Sequence, residues 1–208
     1  MNYIEIEKIP ASPGSLSKRK TMFDMYINDA PFNTSITRSG NRLNHEGYQA
    51  WIHMIHRSCG KVSTHYPSYQ GVSVCDEWRY FMNFRSWWVE NYREGWCLDK
   101  DLIGNGKIYS PDVCIYIPQQ LNKLLNVCSA KRGEVLLGVY KSGRNFGVAI
   151  SNPISGRHER IGGFKTEQEA HATWRERKLR IISDMKGLMD SIDLRIFPSV
   201  VSKVNEIF

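Results

Sequence analysis

Three short runs of alternating apolar and polar residues in the second half of the chain constrain the fold most strongly. They read VLLGVY, FGVAIS and ERIGGF, and the sequences SGRN and NPISGRH between them are typical of turns. Strands and turns of this length predict a three-stranded antiparallel sheet. Thr166 and Glu169 fit a capping box, so a helix should begin there and pack on the sheet through Ala170, Trp174 and Ile181.

Two helical patterns precede this sheet. Apolar residues recur at three- and four-residue spacings from Tyr48 to Cys59 and again from Trp78 to Trp88. Asp76 and Glu77 stand where a helix dipole favours anions, although they are also candidate metal contacts. We interpret the aromatic residues of 78–88 as core, with a stacking platform for single-stranded nucleic acid as the alternative.

Residues 98–118, LDKDLIGNGKIYSPDVCIYIP, combine charged residues with a tight turn. The pattern predicts a strand over 97–102, a Gly-Asn-Gly turn, a second strand over 113–117 and then a short helix in QQLNKLLN. Asp99, Lys100 and Asp101 lie side by side at the first strand. The two carboxylates either hold a divalent metal ion or serve to solubilise the turn and pair with Lys100.

The chain of 208 residues, 41% of them hydrophobic, is long enough to bury a substantial core. It has no apolar run of roughly 18 residues and no secretory signal pattern, so we expect a cytoplasmic protein with no membrane partner. The patterns predict a polar arm over 1–44, one domain over 45–130 and a second domain over 131–208.

Five cysteines occur with no CxxC pair. Buried thiols are therefore favoured over a structural Zn²⁺ built from three cysteines and a histidine, because such sites usually have paired spacing. The remaining candidates for a zinc ligand or a general base are four upstream histidines: His45, His53, His56 and His65.

The positive charge is concentrated in one part of the chain. The net charge is +7, and residues 131–180 contain 11 Lys and Arg against 5 Glu. Such a block favours an anionic partner and indicates where a nucleic acid would bind.

The segment from Gly138 to Trp174 resembles the AP2 DNA-binding domain, with one extra residue at Gly163. The matching positions are Gly138, Val139, Gly143, Arg144, Phe146, Val148, Ile150, Ile161, Gly162, Phe164, Thr166, Glu169 and Ala170. The resemblance implies that the sheet enters the major groove and that four basic residues bind DNA: Lys141, Arg144, Arg157 and Arg160. The alternative is that these are ordinary solvated turn charges.

Most of the chain also resembles a phage-encoded family of HNH-like, homing-type endonucleases that carry a C-terminal AP2 domain. The motifs concerned are INDA, PSY, VCDEW, a Trp-Met-Arg-Cys pattern over 51–59, a Phe-Phe-Trp pattern over 81–87, and LDKD followed by YSP. The resemblance implies a degenerate ββα-metal finger at about 96–126. Asp99 would be the metal ligand, with Asp101 assisting, and Asn122 would lie on the helix side.

Lys100 stands where the family has its catalytic histidine. A lysine has an ordinary pKa of about 10.4 and is a poor general base, so Lys100 would instead stabilise the charged transition state. The implied cofactor is one Mg²⁺ or Mn²⁺ ion.

We therefore predict an α+β protein that binds DNA and acts as a metal-dependent endonuclease. One alternative is a catalytically inactive DNA-binding or regulatory protein that retains both folds. A third class is an interaction protein that uses its aromatic helices to inhibit a host factor.

Overall fold

The computed structural model describes residues 3–60, 69–124 and 135–206 and shows a mixed α+β protein with small sheets. The chain divides into two compact units, residues 1–116 and 117–208. Residues 117–124 thus group with the second unit, whereas the boundary predicted at 130/131 lies outside the described residues. None of the described helices is both long enough and apolar enough to cross a membrane.

The first unit combines helices with short paired strands. The antiparallel pair is β1–β2, the parallel pair is β3–β5, and β4 pairs with β6, which ends at the unit boundary. The elements are α1 (Tyr3–Glu7), α2 (Pro13–Ser17), β1 (Ser35–Arg38), β2 (Asn41–Asn44), α3 (Glu46–Cys59), β3 (Ser73–Val74), a 3₁₀ helix (Asp76–Arg79), α4 (Phe81–Asn91), β4 (Cys97–Asp99), β5 (Ile108–Tyr109) and β6 (Ile115–Ile117).

The N-terminal segment differs from the predicted arm because it supplies part of the core. Tyr26, Ala30 and Phe32 are buried in one cluster with the aromatic residues of α3 and α4. Arg19, in the middle of the basic KRK sequence, donates to the carbonyls of Asn28, Ala30 and Phe32. The Arg19 guanidinium therefore stabilises the backbone of residues 28–32.

The second predicted helix is interrupted at Tyr80, which has an extended backbone with ψ 129°. Ile27 causes the break: its N–H donates to the carbonyl of Arg79, and its carbonyl accepts from Phe81 N–H at 3.0 Å. The Asp29 carboxylate then accepts a hydrogen bond from Met82 N–H at 2.9 Å. Part of the INDA motif thus supplies a helix cap from a distant part of the chain.

The second unit contains the three-stranded antiparallel sheet predicted from the sequence, in the order β7–β8–β9. Both hydrogen bonds of the capping box at Thr166 and Glu169 are present, so this prediction is also confirmed. The elements are α5 (Gln119–Asn122), β7 (Val139–Ser142), β8 (Asn145–Asn152), β9 (Arg157–Phe164), α6 (Glu167–Asp184), α7 (Lys186–Ile192) and α8 (Ile196–Glu206).

The extra glycine of the IGGF sequence forms a β-bulge. Phe146 pairs with Phe164 and Gly147 pairs with Gly162, which leaves Gly163 unpaired between them with φ +95°. This backbone region favours glycine. The insertion is therefore absorbed locally, and the strands keep their register on both sides of it.

Candidate functional site

Asp99 lies at the end of β4 and is buried, with 7% of its surface exposed. Its Oδ1 accepts hydrogen bonds from the N–H groups of Asp101 and Leu102 at 2.8 and 2.7 Å. Burial raises the pKa of Asp99, the neighbouring Asp101 carboxylate adds to the rise, and the two amide bonds oppose it. Asp99 therefore shapes the turn with one oxygen, while burial disfavours its negative charge.

Lys100 is also buried, and its Nζ donates to Asp101 Oδ1 at 2.6 Å. The ammonium lies 5.8 Å from the ring centroid of Tyr69 and 5.4 Å from that of Tyr109, within the range of cation–π attraction. The Asp101 side chain is 59% exposed. A buried cation thus lies beneath an exposed carboxylate.

The structure brings Asp99, Lys100 and Asp101 together in the first unit, whereas Asn122 belongs to the second unit. β4 and β6 pair and precede α5, but the unpredicted β5 lies between them in the chain, the first strand ends at Asp99, and α5 has only 4 residues. The later residues of the predicted helix lie outside the described part of the chain.

No group of three or more His, Cys, Asp or Glu side chains is placed to bind a metal ion within residues 3–60, 69–124 and 135–206. Cys59, Cys75, Cys97 and Cys114 are free thiols. Burial raises the pKa of Cys114 to about 12, which keeps that thiol protonated. Cys128 and His65 lie outside the described residues.

His45, one of the four upstream histidines, is part of the core of the first unit. It is fully buried, its Nε2 lies 2.8 Å from Glu7 Oε1, and its Nδ1 accepts from Tyr48 N–H at the start of α3. Arg85 donates to the same Glu7 carboxylate. These contacts join α1, α3 and α4.

The β7–β9 sheet has two different faces. Ile150 pairs with Glu159, and the Glu159 carboxylate binds Arg177 of α6. The side chains of this pair, and of every second pair along the strands, therefore face the helix. The remaining pairs form the open face, because successive side chains of a strand point to opposite sides and cross-strand partners point to the same side. The open-face residues are Tyr140, Ser142, Asn145, Gly147, Ala149, Ser151, His158, Arg160 and Gly162.

The four basic residues predicted to bind DNA are all exposed, but they do not share one face. Arg160 is on the open face, opposite Ala149. Arg144 lies in the β7–β8 turn. Lys141 pairs with Phe146 and Arg157 pairs with Asn152, and both pairs belong to the face of the sheet towards the helix. Lys141 is close to the end of β7, and Arg157 is the first residue of β9.

Sequence reasoning missed three residues of the open face. Arg160 lies 5.8 Å from the ring centroid of Tyr140, and Ser151 Oγ lies 2.9 Å from His158 Nδ1. The ring of Tyr140 covers Gly147, whereas Ala149 and Gly162 are exposed and add no large side chain to this face. The spacing of His158 and Arg160, two residues apart in a strand, is the signal that was available.

Comparisons with family models, with curated proteins and with solved structures find no match for this chain.

Proposed function

We propose that the protein binds double-stranded DNA through the open face of the β7–β9 sheet. The observation that carries the proposal is the arrangement of Arg160 against Tyr140, whose ring lies over Gly147, beside the exposed Ala149 and Gly162. Small residues allow a close approach of the DNA, and an arginine can bond two acceptors of a guanine edge or a phosphate.

The charge of the second unit supports the same proposal. Residues 117–208 contain 15 Lys and Arg against 9 Asp and Glu, whereas residues 1–116 contain 13 against 12. Nearly all the excess positive charge thus belongs to the unit that carries the sheet. A sheet fits the major groove, which is roughly 12 Å wide.

The double variant Arg144→Ala/Arg160→Ala tests this interface. We expect weaker duplex binding and a salt dependence whose slope falls by about 0.9 for each phosphate contact removed. Binding isotherms over a range of salt concentrations give the slope. The matched control, Arg180→Ala/Lys186→Ala, removes two charges from helices of the same unit, and equal slopes for the two double variants would refute the interface.

A second candidate function is metal-dependent hydrolysis of DNA phosphodiesters in the first unit. The specific observation is the buried Asp99, whose negative charge is only partly compensated and whose Oδ2 is not needed for the two amide bonds. Magnesium is commonly bound through one or two carboxylates together with water and phosphate oxygens. We infer that Asp99 and Asp101 would hold one Mg²⁺ or Mn²⁺ ion.

We infer the following roles for these residues. A bound ion would supply Lewis-acid activation of the phosphodiester, and Asp99 and Asp101 would hold it. Lys100, once separated from Asp101, would stabilise negative charge on the phosphate oxygens. The HNH-like fold, and with it the role of Asn122 in positioning, remains a prediction.

Asp99→Asn is the sharpest test of this second function. Asparagine keeps an oxygen for the amides of Asp101 and Leu102 but removes the charge, so the turn should persist. If the wild type nicks plasmid with Mg²⁺ or Mn²⁺, we expect nicking to fall by about 100-fold or more. Asp112→Asn, on an exposed acid before β6, should leave it unchanged.

A wild type that binds duplex but does not cut with either ion would refute the enzyme function. The DNA-binding function would then stand alone.

A further inference from the structure

Arg57 on α3 is a half-buried arginine whose side chain has an unusual environment. Its Nε donates to the carbonyl of His53 at 3.2 Å, and its Cζ lies 5.6 Å from the ring centroid of Tyr109. The other half-buried arginines in the described part of the first unit, Arg19 and Arg85, bind backbone carbonyls and the Glu7 carboxylate.

No carboxylate pairs with Arg57 among the residues that the structure describes. Among the described residues of the first unit, the arginines that do form ion pairs are Arg79, with Asp76, and Arg85, with Glu7. The sequence KVSTHYPS over 61–68, which follows α3, contains no acidic residue. Within residues 3–60, 69–124 and 135–206, the two terminal nitrogens of Arg57 therefore have no anionic partner, although burial makes such a partner favourable.

The Tyr109 ring also lies near a second cation. Lys100 Nζ lies 5.4 Å from the same ring centroid. Burial raises the pKa of Tyr109, so the phenol stays neutral and provides a rigid aromatic surface next to both cations. Lys100 is paired with Asp101, whereas Arg57 forms no ion pair with any of the described residues.

We propose that Arg57 binds a backbone phosphate of the nucleic acid on which the protein acts. A guanidinium presents parallel N–H groups that match two phosphate oxygens, and its contact with Tyr109 fixes its direction. The inference rests on the proposed function and adds a contact from the first unit, next to the residues of the candidate metal site.

The test compares duplex binding of the wild type, Arg57→Gln and Arg57→Lys as salt is raised. Loss of one phosphate contact lowers the slope by about 0.9, so between about 50 and about 200 mM salt Arg57→Gln should lose about 3-fold less affinity than the wild type. Arg57→Lys keeps the charge and should retain the wild-type slope. Arg42→Gln, which alters an exposed arginine bonded to Ser35, is the matched control.

A wild-type slope in folded Arg57→Gln overturns the inference and leaves DNA binding by the sheet intact. An equal change in Arg42→Gln also overturns it, because the effect would then be one of net charge.

If the wild type binds duplex without any salt dependence, the proposed function fails, and inorganic phosphate becomes the probe. A shift of the Arg57 Nε–H resonance in the wild type on adding phosphate would still support an anion site, and no shift would overturn it.

Discussion

Gly138→Ala is expected to lower the free energy of unfolding of the second unit by about 3 kcal/mol. Gly138 has φ +76°, and a Cβ atom there would lie 2.0 Å from Trp174 Cδ1. Trp174 is buried against the sheet, so either the indole or the start of β7 must move. Native-state amide exchange of Val148 and Ile150 in β8 measures the loss within this unit alone.

Gly143→Ala separates the steric clash with Trp174 from the backbone strain of a positive φ. Gly143 also has a positive φ of 63°, but nothing lies within 4 Å of the position of its Cβ. Its substitution should cost only about 1 kcal/mol. If the two variants lose equal stability, packing of Trp174 against Gly138 does not contribute as described.

Glu7→Ala should lower the free energy of unfolding of the first unit by about 3 kcal/mol. The Glu7 carboxylate accepts from Arg85 Nε at 2.7 Å and lies 2.8 Å from Nε2 of the fully buried His45. Its removal leaves both groups without this partner. Urea unfolding followed by the fluorescence of the buried Trp51, Trp78 and Trp88 reports the change.

Asp76→Ala is the matched control, because the Asp76–Arg79 pair is exposed and surface pairs contribute at most about 1 kcal/mol. A loss in Glu7→Ala no larger than in this control would contradict a structural role for the Glu7 contacts.

The same carboxylate makes the first unit sensitive to acid. Burial alone would raise the pKa of Glu7, but hydrogen bonds from Arg85 and His45 outweigh it and lower the pKa below the ordinary glutamate value. A lowered pKa stabilises the folded state above that ordinary value, and the contribution is lost as the pH falls through the folded pKa. Glu7→Gln should therefore flatten the decline of stability with acid.

Local chemistry made the second unit predictable. The turn sequences, the alternation of the strands and the Thr166–Glu169 capping box act over a few residues, so the sequence carries them directly. The β-bulge at Gly163 is of the same kind, since the extra residue is absorbed where it occurs.

The first unit was less predictable because its organising contacts join distant parts of the chain. The break at Tyr80 depends on Ile27, and the cap on α4 comes from Asp29. The hydrophobic periodicity of residues 76–92 therefore does not predict the break at Tyr80 or the cap on α4. The polar composition of residues 1–44 likewise hides the apolar residues that enter the core.

The candidate sites show the same division. The sequence by itself determined that Asp99, Lys100 and Asp101 are neighbours, and that Arg160 lies in a strand of a basic unit. Only the tertiary structure decided that Lys100 is buried under Asp101, that Asp99 binds two backbone amides, and that Arg57 and Lys100 both lie near the ring of Tyr109. The physical reason is that residue order fixes which groups are adjacent along the chain, whereas burial and the packing of distant segments fix which charges remain available to a ligand.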